Sequence, residues 1–304
     1  MHPDTSLTVS IANRPDDIEK AIREALDEIP LEDFKDKVVA IHPNDTTATE
    51  DDKTACTPAE ALRATIQFVK NLHPKSIVVT AGPGAKTADE VYKVMGYSDV
   101  IESEGVEYHD HNQPPFVAVD LPFGPQRRVM VNARVLEYDK VVSLAQLKVH
   151  STACVTMAIK NIAMSFPAAE FYGYPRVSQE RHPHNILQDK QAFLVGMLMR
   201  FPIDLAIVTG HPAMIGKGPI GGKAVETGLV IAGRNAVSVD SVGAYLLGFE
   251  TLAVQHLRQA AELGLGAPFI PIGNESEKGR LKIKGLAVKE AAKVFRKAAY
   301  GEEF

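Results

Sequence analysis

A short apolar run, a polar elbow and a helix that is apolar on almost every side lie between residues 139 and 164. Little else in the chain is as restrictive. Asp139 to Leu147 reads as a buried strand through Val141, Val142, Leu144 and Leu147, and Ala153 to Met164 reads as a helix whose strongly polar positions are Thr156, Lys160 and Asn161. Such a helix has to be covered on all sides, and a buried ammonium is costly unless it has a partner. Lys160 therefore belongs at the edge of a cleft or beside an anion. Between strand and helix sits the elbow Lys148-Val149-His150-Ser151-Thr152. Free helix N–H groups aimed at that elbow would make a natural anion seat.

The same unit recurs along the chain. Val38 to Ile41, Ser76 to Thr80 and Asp204 to Thr209 are further short apolar runs, with helices expected at Asp16 to Ile29, Thr57 to Leu72, Thr87 to Met95, Gln191 to Phe201, Ser238 to Leu247, Thr251 to Leu263 and Ala287 to Ala299. Ser6 to Ala12 reads as an edge strand, Thr227 to Ala232 as another strand, and Thr57 and Ser238 as N-caps. Alternating strands and helices predict an α/β fold, with a mostly parallel sheet flanked by helices on both faces. We expect two lobes around a cleft, residues 1–134 and 135–304. Ligands of such folds sit outside the C-terminal ends of the strands. Four runs end in polar loops there: His42 to Asp45, Ala81 to Lys86, Lys148 to Thr152 and Gly210 to Lys223.

Composition narrows the function classes. The 304 residues carry 45% hydrophobic and 23% charged side chains, ordinary globular values, and a net charge of -5 gives no electrostatic case for nucleic acid or an anionic membrane. Two cysteines, Cys56 and Cys154, exclude a disulfide framework and a four-thiolate iron–sulfur or zinc site. No apolar run reaches the ~18 residues of a membrane span. The first residues lack a basic region followed by an apolar core. A soluble cytoplasmic protein is the expectation.

The candidate site residues follow from those loops. Lys148 and His150 are two apart, so in extended chain they point the same way: a cation beside a general acid/base, or equally a solvated loop pair. The Gly210 to Lys223 loop holds five glycines and two lysines. Gly216 and Gly221 have the spacing of a P-loop, but Gly222 stands where the lysine should be and no Lys-Ser/Thr follows, yet the loop's backbone N–H groups could cradle an anion. The Ala81 to Lys86 turn has Gly82 and Gly84 without a third glycine, which fits a plain turn. His109/His111 and His182/His184 have the spacing at which one strand presents two imidazoles, and His42, His150 and His211 all follow strands. No helical His pair or thiolate pair fixes a metal geometry. Asp240, one turn into its helix, is expected to support that helix's N-terminus or to pair with a lysine.

Taken together, Ser143 to Ser151 and Val155 to Asn161 resemble the core of the DUF362 family, a domain named for its unknown function. Gly218-Pro219-Ile220-Gly221-Gly222 is similar to that family's glycine loop, and Leu229 to Gly248 to its following segment. The likeness spans roughly residues 37 to 250. Many members carry a ferredoxin-type cysteine motif that this chain lacks, so no iron–sulfur cluster is expected. Thr209-Gly210-His211 stands where members often have Asp, and Asn235 replaces a second family Asp. Thr54 to Pro58, the Ala81-Gly82 turn and Tyr108-His109-Asp110 also look like the N-terminal domain of the nickel-pincer lactate racemase group.

These readings converge on a cleft for a small phosphate- or carboxylate-bearing ligand. Lys148, Lys160 and the backbone of Gly216, Lys217, Gly218, Gly221 and Gly222 would hold the anion. Asn161, Ser151 and Asn44 would orient it, and His150 would be the general acid/base. His211 and His184 are the candidate ligands of a divalent transition metal. An enzyme on a small anionic metabolite, a metal-dependent racemase-like enzyme and a non-catalytic binding or assembly protein all remain open, as does a homo-oligomer. Neither nucleic acid nor membrane is an expected partner.

Overall fold

The computed structural model describes residues 7–168, 189–271 and 281–302. Among them, ten strands form one sheet in the order β12-β1-β11-β9-β7-β2-β3-β4, with β8 on β7 and β10 on β9. The strands are β1 (Thr8–Asn13), β2 (Val38–Pro43), β3 (Ser76–Ala81), β4 (Glu107–Asp110), β7 (Lys140–His150), β8 (Cys154–Thr156), β9 (Leu205–Ile215), β10 (Lys223–Val225), β11 (Leu229–Gly233) and β12 (Lys282–Gly285). A separate hairpin pairs β5 (Phe116–Asp120) with β6 (Arg128–Asn132).

The middle of the sheet is parallel: β9 pairs β7, β7 pairs β2, β2 pairs β3 and β3 pairs β4, all in the same sense. Antiparallel β11 and β1 follow on one side, and parallel β12 closes it. Strands of residues 1–134 and of residues 135–304 are thus hydrogen-bonded into one sheet. β1 is not the edge strand its weak alternation implies, since β11 and β12 cover both its sides.

Period-two alternation feeds a core on each face. Val39, Ile41, Val142, Leu144, Leu205 and Ile207 face α1 (Ile18–Asp27), α2 (Ala59–Lys70), α3 (Ala88–Met95) and α4 (Tyr97–Glu104). Val141, Ala145, Leu147, Ala206 and Val208 face α5 (Ala158–Ser165), α6 (Lys190–Arg200), α7 (Ala236–Leu246), α8 (Gln255–Glu262) and α9 (Val288–Tyr300). The fold is therefore α/β with helices on both faces, as its alternating pattern implies. No helix among the described residues is long and apolar enough to cross a membrane.

Three local expectations are corrected. The expected helix Ala153 to Met164 starts late. Residues 154–156, with β-branched Val155 and Thr156, instead pair antiparallel with the end of β7, Lys148 opposite Thr156 and His150 opposite Cys154. Gly210 to Ile215 is strand rather than loop, because β10 pairs it from Ala213 onward. Thr57 does not cap α2; its hydroxyl donates to the Leu144 carbonyl at 3.1 Å and so ties the loop to β7.

Gly82 shows how tightly α5 closes on the β3 end. A Cβ there would stand 2.3 Å from the Ser165 carbonyl oxygen, at the end of α5. Gly82→Ala is expected to cost on the order of 1–3 kcal/mol through overpacking against backbone. A urea midpoint equal to that of the parent chain would mean α5 is not held there.

Candidate functional site

The start of α5 is fixed from far away in sequence. Asp240, on α7 and 1% exposed, accepts the N–H of Ala158 at Oδ1 and of Ile159 at Oδ2, both at 2.9 Å. A carboxylate across the first turn satisfies two orphan donors and suits the positive end of the helix dipole. The anion seat expected at this helix end is therefore filled by the protein's own carboxylate. Asp240 does not support its own helix either. Asn235 does that, its Oδ1 accepting the Ser238 N–H at 2.9 Å, and Ser238 lies inside α7 rather than capping it.

The cap sets the two residues that follow. Lys160 is 7% exposed and Asn161 2%. Asn161 Nδ2 donates to the His42 carbonyl at 3.1 Å and to Ser143 Oγ at 3.2 Å, and its Oδ1 accepts from Asn44 Nδ2 at 3.1 Å. Asn44 Nδ2 reaches Thr46 Oγ1 as well, at 3.2 Å, and Lys148 Nζ donates to that hydroxyl at 3.3 Å and to the Ala55 carbonyl at 2.8 Å. Lys148, Asn44 and Asn161, three of the sequence-expected residues, thus share one hydrogen-bonded chain. It runs around the C-terminal end of β7 and β2. Lys148 is fully buried. Burial pushes its ammonium down to about 8, partly opposed by Cys56 and Asp45. Its structural task is visible: it straps the loop after β2 onto β7.

Beside Asn161 lies a pair of buried imidazoles. His42 Nδ1 is 2.9 Å from the Thr80 carbonyl, which can only accept, so the ring proton is on Nδ1 and Nε2 is bare. That Nε2 is 3.7 Å from Asp45 Oδ1, while Asp45 Oδ2 accepts the Gly82 N–H at 2.9 Å. The His111 ring stacks on His42 at 6.4 Å, with its Nε2 3.1 Å from the Tyr138 hydroxyl. Burial lowers both imidazoles, His42 to about 4, so both are neutral near pH 7. His42 Nε2, His111 Nδ1 and Asn44 Oδ1 are buried without a hydrogen-bond partner.

The remaining expected residues are more scattered. His150, at the end of β7, accepts the N–H of Thr152 (3.1 Å) and of Ala153 (3.3 Å) at Nδ1, which puts the proton of the neutral ring on Nε2. Ser151 is exposed and its N–H donates to the Gly218 carbonyl at 3.1 Å. The glycines of the loop have local backbone reasons. Gly216 and Gly221 have φ of +77° and +70°, a Cβ on Gly218 would lie 2.1 Å from the Val149 carbonyl oxygen, and one on Gly222 would lie 2.6 Å from Met214 Cγ. Lys217 is exposed. His211, on β9, has Nδ1 3.6 Å from Glu226 Oε2. His182 and His184 lie outside the described residues. Among the described residues no three His, Cys, Asp or Glu side chains converge as a metal-binding set.

Sequence reasoning named the His42 to Asp45 loop and the His109/His111 pair but did not bring Asp45 and His111 together around His42. The two-residue spacing of His109 and His111 was a usable signal. His109, within β4, lies 3.1 Å from Asn132 Oδ1, whereas His111 lies past the strand end.

The profile of the family described as a domain of unknown function (DUF362) matches residues 39–245, more than half of the chain, and the chain belongs to that family. No curated protein matches it. Among solved structures it is similar to a lactate racemase apoprotein from Thermoanaerobacterium thermosaccharolyticum, at 14% identity and a TM-score of 0.47, over 81% of this chain and 58% of that one. It is also similar to a structural-genomics protein from Thermotoga maritima, at 12% identity and a TM-score of 0.42, over 82% of this chain and 58% of the other. The chain spans less than two thirds of the length of either.

The Asp240 cap makes stability depend on pH. Burial pushes its carboxyl up to about 7, against the two N–H bonds that pull it down. The folded state then holds a proton that the unfolded state releases near pH ~4, so this group's contribution to stability falls as pH rises from about 4 to about 7. Asp240→Asn removes that component, and urea melts across this range should show a shallower decline than the parent chain. Equal slopes would contradict the assignment.

Proposed function

We propose that this DUF362 chain binds a small carboxylate- or phosphate-bearing metabolite at the C-terminal rim of its parallel strands and acts on it by acid–base chemistry. The observation that supports this reading is the placement of Lys160 within the first turn of a helix whose first two N–H groups are already taken by Asp240. With the backbone donors taken, the ammonium of Lys160 is the group suited to a charge-assisted contact with an anion. Asn161 is committed to His42, Ser143 and Asn44. Its role in this reading is to hold α5, and Lys160 with it, against β2 and β7. Lys148 orders the loop after β2 and acts through Asn44 rather than on the ligand.

His150 is the acid in this scheme. Its Nδ1 accepts from two backbone N–H groups, which places the proton of the neutral ring on Nε2. The strands β2, β3, β4, β7 and β9 all end at this rim, which gathers the polar groups on one side of the sheet.

Calorimetric titration with inorganic phosphate and with oxalate, small probes of the two ligand chemistries, tests the anion site. Lys160→Met should weaken whichever probe binds by at least about tenfold, since a lost charge-assisted contact is worth roughly 1.5–3 kcal/mol. Lys148→Met should instead lower the melting temperature by leaving the Ala55 carbonyl unpaired. Undiminished affinity in Lys160→Met would sink the reading.

A further inference from the structure

The main sheet ends at β4, three strands away from β7, and a cavity of about 270 Å³ opens between that last strand, α3 and α4. Local sequence puts its walls in place. Asp89 and Tyr92 are three apart on α3, and Ser98, Ile101 and Glu102 share one face of α4, so each helix turns one side to the cavity. Gly96 and Gly105, with φ of +75° and +60°, turn the chain at the two ends of α4 and return it as β4. Tyr108 of β4 closes the space. A Cβ on Gly105 would meet nothing within 4 Å, so the cavity is open on that side.

Its aromatic wall is preorganised. Tyr108 is 39% exposed, and its ring centroid lies 5.2 Å from that of Tyr92 at a tilt of 56°. Tyr92 is buried and cannot shift. Its ring meets Tyr97 edge-on at 5.0 Å, and its hydroxyl donates to the Thr80 carbonyl at 2.6 Å. An accessible ring backed by a fixed one needs little further ordering to take a ligand.

The charges around it have one sign. Asp89 and Glu102 are the acidic lining residues, and no basic side chain lines the cavity. Neither carboxylate is in an ion pair among the described residues. Carboxylates repel an anion, while the negative face of an aromatic ring adds to the attraction for a cation. A bare metal ion is a poor match, since it wants a shell of oxygen or nitrogen ligands, and rings and aliphatic Ile101 supply none. Size narrows the class further: drug-sized ligands occupy roughly 300–1,000 Å³, so the occupant here is smaller.

We infer that this cavity binds a small organic cation, an ammonium bearing alkyl groups. Its charge is drawn to Asp89 and Glu102, and its alkyl groups rest on Tyr108 and Ile101. The site is separate from the anion site at Lys160 and does not depend on it.

Choline and its neutral isostere, in which a quaternary carbon replaces the nitrogen, are matched probes that differ in charge alone. In chemical-shift titrations of protein labelled on its tyrosine rings, choline should shift Tyr108 saturably and bind about tenfold more tightly than the isostere. Tyr108→Leu, which keeps an apolar wall and removes the ring, should weaken choline severalfold, followed by its effect on the Ile101 methyl resonance. Asp89→Asn combined with Glu102→Gln should bring choline down to the level of the isostere. All three side chains are exposed, so thermal melts of these variants should stay close to that of the parent chain. Equal binding of the two probes would overturn the cation site. So would choline that leaves Tyr108 unmoved at tens of millimolar, or that binds the doubly substituted chain as tightly as the parent.

Discussion

Two hydrogen bonds that Asp240 accepts from the first turn of α5 hold this end of the molecule together. They join α7, which follows the antiparallel part of the sheet, to the helix that follows β7 and β8, 82 residues earlier in the chain. Their consequence is chemical as well as mechanical. A helix N-terminus left open would be the place for an anion to settle. Here it is closed by Asp240, and Lys160 follows within the same turn. The same pair of bonds sets the phase of α5, so that Asn161 faces β2 and β7 and meets His42, Ser143 and Asn44 together.

Around that helix, buried polar groups are organised as two unlike neighbourhoods. On the β2 and β3 side, Asn161, Asn44, Thr46 and Lys148 form a continuous chain that anchors the loop after β2, and Lys148 is a strap within it. On the α6 and α8 side, Gln191 orients His256, and burial first and the Lys160 charge second keep it neutral. The strands themselves contribute by being parallel from β9 to β4. That arrangement brings five strand ends to one edge, and it explains why histidines widely separated in sequence, His42, His111 and His150, lie along one rim.

The parts of this picture that depend on local pattern were legible. Short β-branched runs alternating with amphipathic helices imply the sheet and its two helical layers, and an all-apolar helix containing Lys160 and Asn161 marks itself as unusual without any structure. The Ala81 to Lys86 stretch was read as a plain turn because it lacks a third glycine; the close approach of Ser165 to Gly82 was not readable there. What was illegible depends on partners chosen across the fold. Nothing near Asp240 says that it caps a helix other than its own. The strand at Cys154 to Thr156 is decided by β7 offering a free edge, which three residues cannot announce. His256 sits at a core position by periodicity, and its unpartnered nitrogen appears only once Gln191 has claimed the other side of the ring. The glycine-rich loop misled in the opposite direction: its composition resembles an anion cradle, while the backbone accounts for Gly216, Gly218, Gly221 and Gly222 through φ and close approach.

The central claim is that the chain's own carboxylate occupies the α5 N-terminus and that Lys160 is where an external anion binds. Arsenate carries a strong anomalous signal, so a crystal grown in its presence can locate the site directly. The account predicts an arsenic peak within hydrogen-bonding reach of Lys160 Nζ, with Asp240 still accepting from Ala158 and Ile159. A peak at those two N–H groups, with Asp240 swung aside, would contradict it.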